Sequence, residues 1–438
     1  MITYLIHVIM LIGGLMIENS EDFYNGNFFP HYFADVINRL QLIKQRTFSV
    51  VEIEKIKEYL IEKAKKAKMD EAILFAFPGL GEKESKVPLY KVINFIYDEK
   101  KKPIMSLSGT FFAQHENSHN KPAQMVNHLL VTRKVEKNAM FKFDEGSLEY
   151  DAKDRSQKVY KLMANSWYGA LSQSSFIFYN KLLGPAVTYQ GVGIITSSVC
   201  AMEAFLGNNI RFKEIHEVLT FMVNVINEQP RWKINLSDYI DEKISKERLL
   251  RYISLEMCDF AITNKQYKII VDCISKLDDE VVTRMYYKRN LSALTKNPKI
   301  IKMFLDCLPK EGDIFNDPNK PLDYLKEPLG AIYPVIEEIV GYKYAYHDRY
   351  DRASTMRRNS VLLVDTDSNF LLLENTFNTI CDNANINETQ RLQKHNIINV
   401  SNVIVYICSK YIQTALDVFT GNVNIPADKQ HLINMKSE

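Results

Sequence analysis

The stretch Ser360-Val-Leu-Leu-Val-Asp365-Thr366-Asp367-Ser368-Asn-Phe-Leu-Leu-Leu373 is an apolar run interrupted by a short polar centre. Apolar flanks, Val361 to Val364 and Phe370 to Leu373, around a cluster of turn-forming side chains predict a β-hairpin with two aspartates at its tip. Two carboxylates separated by a single residue repel each other, and a divalent cation is the usual reason for them to coexist. Strands on either side would hold both acids rigidly, as metal-assisted chemistry requires. Aspartate, threonine and serine also favour ordinary polar turns, so the pentad Val364 to Ser368 alone leaves both readings open.

Working upstream, residues 123 to 171 carry a helical pattern broken by the polar segment Asp144 to Gly146, which predicts two helices joined by a turn. On the second helix Lys158, Lys161, Asn165 and Tyr168 recur at helical spacing and share one face. Cations, an amide and a ring on one face suit a phosphate chain and a base or sugar. Arg133 and Lys137 lie one turn apart on the first helix, and an antiparallel hairpin would converge them with Lys161 on one polyphosphate. Exposed helices pairing their cations with Glu136 or Glu149 account for the same residues without function.

The remaining chain reads more plainly. Residues 34 to 70 are predicted helical and end in the lysines 63, 65, 66 and 68, a solvated face. Strands are expected at Ala72 to Phe77, Val92 to Tyr97 and Ile104 to Leu107. Residues 207 to 352, punctuated by prolines, read as an inserted helical module, and Val400 to Val418 as an amphipathic helix. The opening run Met1 to Met16 has no basic leader and breaks at Gly13-Gly14, short of a membrane span, so it reads as buried strand, and His431 to Glu438 reads as one more strand.

The whole chain has 438 residues, 46% of them hydrophobic, enough for a full core, which excludes intrinsic disorder and small disulfide scaffolds. Its 55 basic and 53 acidic residues are too balanced to mark a nucleic-acid binder by bulk charge, so such a function must rest on local clusters. Six scattered cysteines without a CxxC pair fit a reducing, cytoplasmic setting, and no HExxH, P-loop or dinucleotide fingerprint offers another enzyme class.

In order, Arg133-x-x-x-Lys137, Lys161-x-x-x-Asn165-Ser-x-Tyr168-Gly169 and Asp365-Thr366-Asp367-Ser368 resemble the signatures of family B DNA polymerases. Gly184-Pro-Ala-Val-Thr-Tyr-Gln-Gly191 and Ser108-Gly-Thr-Phe-Phe112 are similar to segments flanking those signatures, whereas residues 207 to 352 resemble nothing in the family. The resemblance implies an α+β right-hand polymerase: a palm of antiparallel sheet with packed helices, a two-helix fingers hairpin and a large helical insertion. The expected divisions are palm 1–119, fingers 120–173, a palm helix 174–206, the insertion 207–352 and the rest of the palm 353–438.

The activity so implied is template-directed addition of deoxynucleotides to a primer 3′ end, assisted by two Mg2+ ions, with Mn2+ as the alternative. Asp365 and Asp367 would be catalytic and metal-ligating. Arg133, Lys137, Lys161 and Asn165 would hold the triphosphate of a dNTP, and Tyr168 and Gly169 would line the nascent base pair. Thr366 and Ser368 would face primer-template DNA, and Lys288 and Arg289, beside Tyr286 and Tyr287, would add a basic and aromatic track for it.

Two departures stand out. The family has a further metal aspartate in a signature resembling Asp-x-x-Ser-Leu-Tyr-Pro; aligning on Pro30 puts Phe29 at the sugar-selecting ring but Tyr24 at the aspartate, with Asp22 two residues early. The chain also stops at Met435-Lys-Ser-Glu438, before a primer-gripping motif and thumb, and has no room ahead of Met1 for an exonuclease. The expectation is a polymerase encoded in parts, as in large viral or bacteriophage genomes, with separate subunits bringing exonuclease and thumb and no membrane contact. The competing expectation is a catalytically inactive relative that binds primer-template or scaffolds a complex. A metal-dependent nuclease or unrelated nucleotidyltransferase leaves the two cationic signatures unexplained.

Overall fold

The computed structural model describes residues 28–44, 46–65, 71–76, 83–98, 100–112, 121–177, 179–180, 182–207, 209, 211–308, 326–341, 357–364, 368–391 and 393–427. Two compact units emerge: one of Met1–Glu99 and Ile194–Glu438, the other of Lys100–Gly193. The expected fingers, 120–173, lie within the second unit, but neither unit ends at residue 119, 206 or 352.

The first unit begins with helices α1 (Phe28–Lys44) and α2 (Val50–Lys65), an antiparallel pair β1 (Glu71–Ala76) and β2 (Lys83–Pro88), and α3 (Leu89–Ile96). Helix α3 corrects the strand expected at Val92 to Tyr97. Leu89, Val92, Ile93 and Ile96 recur at helical spacing, a period that a short apolar run conceals.

The second unit opens with β3 (Ile104–Met105) and β4 (Phe111–Phe112), joined by a tight turn in which Gly109 takes φ +80° and Ser106 N–H donates to Thr110 O at 2.9 Å. Helices α4 (Lys121–Met140) and α5 (Leu148–Leu171) then pack against each other. The turn between them needs Gly146 at φ +88°, a left-handed conformation that side chains resist. Ser147 caps α5, accepting from Tyr150 N–H at 3.1 Å, and Glu149 and Asp151 complement the helix dipole in its first turn. Helix α6 (Leu183–Gly207) follows, and the division between the units falls within it.

From α6 onward the first unit is helical: α7 (Ile215–Glu228), α8 (Lys246–Glu256), α9 (Asn264–Ser275), α10 (Asp279–Tyr287), α11 (Leu291–Leu294), α12 (Pro298–Asp306) and α13 (Lys326–Val340). Then come β5 (Val361–Val364), β6 (Asn369–Leu371), α14 (Glu374–Asn383), α15 (Glu388–Arg391) and α16 (Lys394–Asn422). One continuous core takes residues from the last turns of α6, from α7 through α13, and from β5, α14 and α16. Phe205 of α6 stacks on Tyr411 of α16 with ring centroids 4.1 Å apart, and both side chains are fully buried. The described helices α7 to α13, from the segment expected as an insertion, bury their apolar faces in the same core as β5, α14 and α16.

The α+β expectation is corrected in its proportions. The described chain is mostly helical, and its strands form three separate two-stranded sheets with no palm sheet joining them. The two terminal runs expected as strands, Met1 to Met16 and His431 to Glu438, lie outside the described residues.

Candidate functional site

The acidic hairpin has the predicted flanks. β5 and β6 pair antiparallel in the register Val361↔Leu371, Leu363↔Phe370 and Val364↔Asn369, with an irregularity between Val361 and Leu363. Val361 is buried in the core, whereas Leu362, Leu363 and Phe370 are exposed. Asp365, Thr366 and Asp367, the tip, lie outside the described residues, as does Asp22; Ser368 is half-buried at the foot of β6.

Helix α6 grips this hairpin at two points that the sequence reading missed. Glu203, 0% exposed, accepts hydrogen bonds from the backbone N–H of Asn359 (3.1 and 3.0 Å, one to each carboxylate oxygen), Ser360 (3.0 Å) and Val361 (2.8 Å). The Asn209 side-chain amide adds a further bond to Glu203 Oε2 at 2.9 Å and also donates to Arg357 O. At the other strand, Asn369 Nδ2 donates to the buried Ser198 Oγ at 3.0 Å. One signal was available for Glu203: it is the lone charge in the apolar run Val199-Cys-Ala-Met-Glu203-Ala-Phe-Leu206.

The cationic residues sit on the α4/α5 hairpin. Arg133 Nε donates to Gln157 Oε1 at 3.4 Å and Lys153 pairs with Glu136 at 3.1 Å, which sets the antiparallel register. Gln157, buried between the helices, also donates to Asp154 at 3.0 Å. Lys161 is one turn beyond Gln157 on the same stripe, and Lys137 one turn from Arg133 toward the connecting turn. By helical rise the three cations span about 12 Å along the seam. Lys137 lies over the Phe141 ring at 5.9 Å, while the side chains of Lys161 and Asn165 are exposed and form no hydrogen bond or ion pair among the described residues. Lys158, on the same face, is held by Asp154 at 2.5 Å, and that hydrogen bond raises its pKa.

Tyr168 closes the far end of this face. Its hydroxyl meets Thr188 Oγ1 at 2.6 Å, tying α5 to α6, and its ring remains half exposed. A Cβ at Gly169 would meet nothing within 4 Å, so the surface beside Tyr168 is open. Gly184 does the reverse: a Cβ there would fall 2.3 Å from Ser172 Oγ, so glycine lets the start of α6 approach the end of α5. Leu107 N–H donates to Gln190 Oε1 at 3.3 Å, joining the β3–β4 turn to α6.

Three expected residues are buried. Phe29, 3% exposed, packs against Tyr32 and stacks on Phe33 at 6.2 Å in the first turns of α1. Lys288 and Arg289, 1% and 2% exposed, are corrected as DNA contacts. Lys288 bonds Glu228 at 2.8 Å, Glu338 O at 2.9 Å and Gly341 O at 2.7 Å, while Arg289 N–H donates to Val340 O at 2.9 Å. Their neighbour Arg284 stacks 4.2 Å over Trp232 and bridges to Glu338 at 3.0 Å. The basic and aromatic mix is internal scaffolding, because a cation surrounded by carboxylates and carbonyls can be buried.

A family model for Divergent Family B DNA polymerase matches residues 20–350. The chain belongs to this family. The match takes in the α4/α5 hairpin with its cations and also residues 207–350, so the helical segment that resembled nothing at the level of motifs belongs to the family domain. It stops before β5 and the acidic tip. No curated protein and no solved structure matches the chain.

Among the described residues no group of three or more His, Cys, Asp or Glu gathers to hold a metal, and no helix is long and apolar enough to cross a membrane. The donor type at the hairpin nevertheless fits a hard divalent cation, which takes carboxylate oxygens, and those carboxylates follow directly from the paired strand β5.

Proposed function

We propose that this family member is the nucleotide-binding and metal-holding part of a template-directed DNA polymerase, extending a primer 3′ end with deoxynucleotides. The observation that carries the reading is the α4/α5 hairpin, with Arg133 and Lys137 on α4, Lys161 on α5 and Asn165 one turn beyond it, inside the segment matched to the family. In this reading Arg133 and Lys161 bind the triphosphate, Lys137 neutralises charge at its outer end, and Asn165 orients it. Tyr168 and the open surface at Gly169 accept the nascent base pair. Asp365 and Asp367 hold Mg2+, which when bound supplies charge stabilisation for phosphoryl transfer. Asp22 is the candidate third carboxylate, and Thr366 and Ser368 are candidate contacts to the primer.

Primer extension with Mg2+ and four deoxynucleotides, comparing the chain with Asp367→Ala, tests this. Extension by the parent that vanishes in the variant is expected; a parent that binds primer-template yet extends nothing, alone or with candidate partner chains, overturns it. The second reading, an inactive primer-template-binding relative, is favoured by Tyr24 standing where the family aligns an aspartate.

A further inference from the structure

Helix α7 ends at Glu228, and after a single tight turn, Gln229–Arg231, the backbone N–H of Trp232 donates to Gln229 O at 3.2 Å. This turn borders a partly open cavity of about 260 Å3. Its lining carries Trp232, three acids, Glu228, Glu337 and Glu338, and three cations, Arg231, Lys233 and Lys288, all within the first compact unit.

Much of the hydrogen-bonding capacity here is already spent. Lys288 Nζ meets Glu228 Oε2 at 2.8 Å, Glu338 O at 2.9 Å and Gly341 O at 2.7 Å, which uses its three donors. Glu338 accepts from Arg284 and from the backbone N–H groups of Lys233 and Ile234, at 3.0 Å each. By contrast, Glu228 Oε1 and Trp232 Nε1 are buried with no hydrogen-bond partner among the described residues. One is an acceptor and the other a donor, and a buried polar group with its bond unmade is costly.

We infer that this cavity binds a purine base, the edge of which donates an N–H to Glu228 Oε1 and accepts from the Trp232 indole N–H. The balance of three acids and three cations favours a neutral ligand over an ion, since either sign of charge would meet like charges in the lining. A purine is neutral, and its edge sets a donor next to an acceptor: an amino N–H beside a ring nitrogen in adenine, a ring N–H beside a carbonyl in guanine. A cavity of about 150 Å3 is enough for benzene, so this one has room for two fused rings. The Arg284 guanidinium, 4.2 Å over the Trp232 ring, holds the indole plane, and Lys288 holds the Glu228 carboxylate through its other oxygen. Both recognition groups are therefore set before a ligand arrives. None of these residues belongs to the nucleotide or metal sites proposed above, so failure of either reading leaves the other standing.

Equilibrium dialysis of adenosine and guanosine against the full chain tests the site, because nucleosides lack the phosphates that the α4/α5 cations would hold. At least one should bind with a Kd below about 1 mM. In an isotope-labelled chain the two tryptophans give two indole N–H signals, and the nucleoside should shift the one that Trp232→Phe removes. Trp232→Phe keeps a ring under Arg284 and deletes a donor that bonds nothing among the described residues. Its urea midpoint should match the parent's while nucleoside affinity falls about fivefold or more, the scale of one hydrogen bond. Lys161→Ala should bind the nucleoside as tightly as the parent does.

Failure of both nucleosides to bind below about 1 mM overturns the inference, and solvent then satisfies the two groups. A Trp232→Phe affinity equal to the parent's overturns it too, as does weakened binding in Lys161→Ala, which would move the nucleoside to the α4/α5 face. If Trp232→Phe fails to fold, the indole signals of the parent, assigned with Trp167→Phe, carry the decision: a shift at Trp232 supports the site, and a shift at Trp167 alone or at neither overturns it.

Discussion

At the scale of single residues, partnership separates Lys161 from Lys158. Both are exposed on one face of α5, but Asp154 already neutralises Lys158, whereas Lys161 spends its charge on no protein group among the described residues. A cation without a protein partner is available to a ligand, and removing it costs the fold little. Lys161→Ala should therefore leave the urea midpoint unchanged while raising the KM for deoxynucleotides about tenfold or more, the scale of one charge-assisted phosphate contact. Lys158→Ala should leave that KM within twofold. Equal effects of the two on KM in steady-state extension would show that the face acts only through its summed charge. Spacing alone grouped the two lysines; the ion pair that distinguishes them depends on rotamers that spacing does not specify.

Among the elements, the two-helix hairpin was readable and the role of α10 was not. The break at Asp144 to Gly146 and the flanking helical periods are local signals, and the structure has α4, a turn with Gly146 at positive φ, and α5. The cluster Arg284, Lys288 and Arg289 has the composition of a nucleic-acid track, but it is buried by α7 and α13, which bring Glu228, Glu338 and the Gly341 carbonyl from distant parts of the sequence. Removing one member of a buried pair strands the other charge, at a cost of about 3 to 5 kcal/mol. Lys288→Ala should lower unfolding stability by that order in urea, with primer-template affinity unchanged at stabilities where both variants remain folded. A loss of affinity without a loss of stability would restore Lys288 to a DNA-contacting surface.

For the whole molecule, the large helical core sets a pH limit. Burial pushes the Cys408 thiol up to about 12 and those of Cys258 and Cys307 up to about 11, and it lifts the Tyr287 phenol to about 12 and Tyr252 higher still. In the unfolded chain a thiol ionises near about 8.5 and a phenol near about 10. Above those values the unfolded state loses protons that the native state keeps, so stability present at neutral pH declines as pH rises toward the native values. Lys288, held below its ordinary range mainly by burial, works in the opposite direction in the same window, while Tyr333, Cys273 and Cys381, also raised by burial, add to the loss. Urea midpoints should accordingly be lower at about pH 10.5 than at about pH 8; a flat or rising profile would mean that these groups ionise as readily in the folded chain.

What the sequence by itself determined is local or ordered along the chain: the helical periods of α4 and α5, the turn between them, the apolar flanks of Asp365 and Asp367, and the succession of signatures that led to family B polymerases. Tertiary structure alone decided which charges are spent inside. Glu203, Lys288 and Arg284 meet partners 50 or more residues away, and whether a charged side chain is solvated or buried depends on elements that only folding brings to it. The same reason explains why residues 207–350, inside the family match, carried no recognised signature: the packing of their described helices against α6, α14 and α16 follows from shape and apolar surface, which leave no short motif in the sequence.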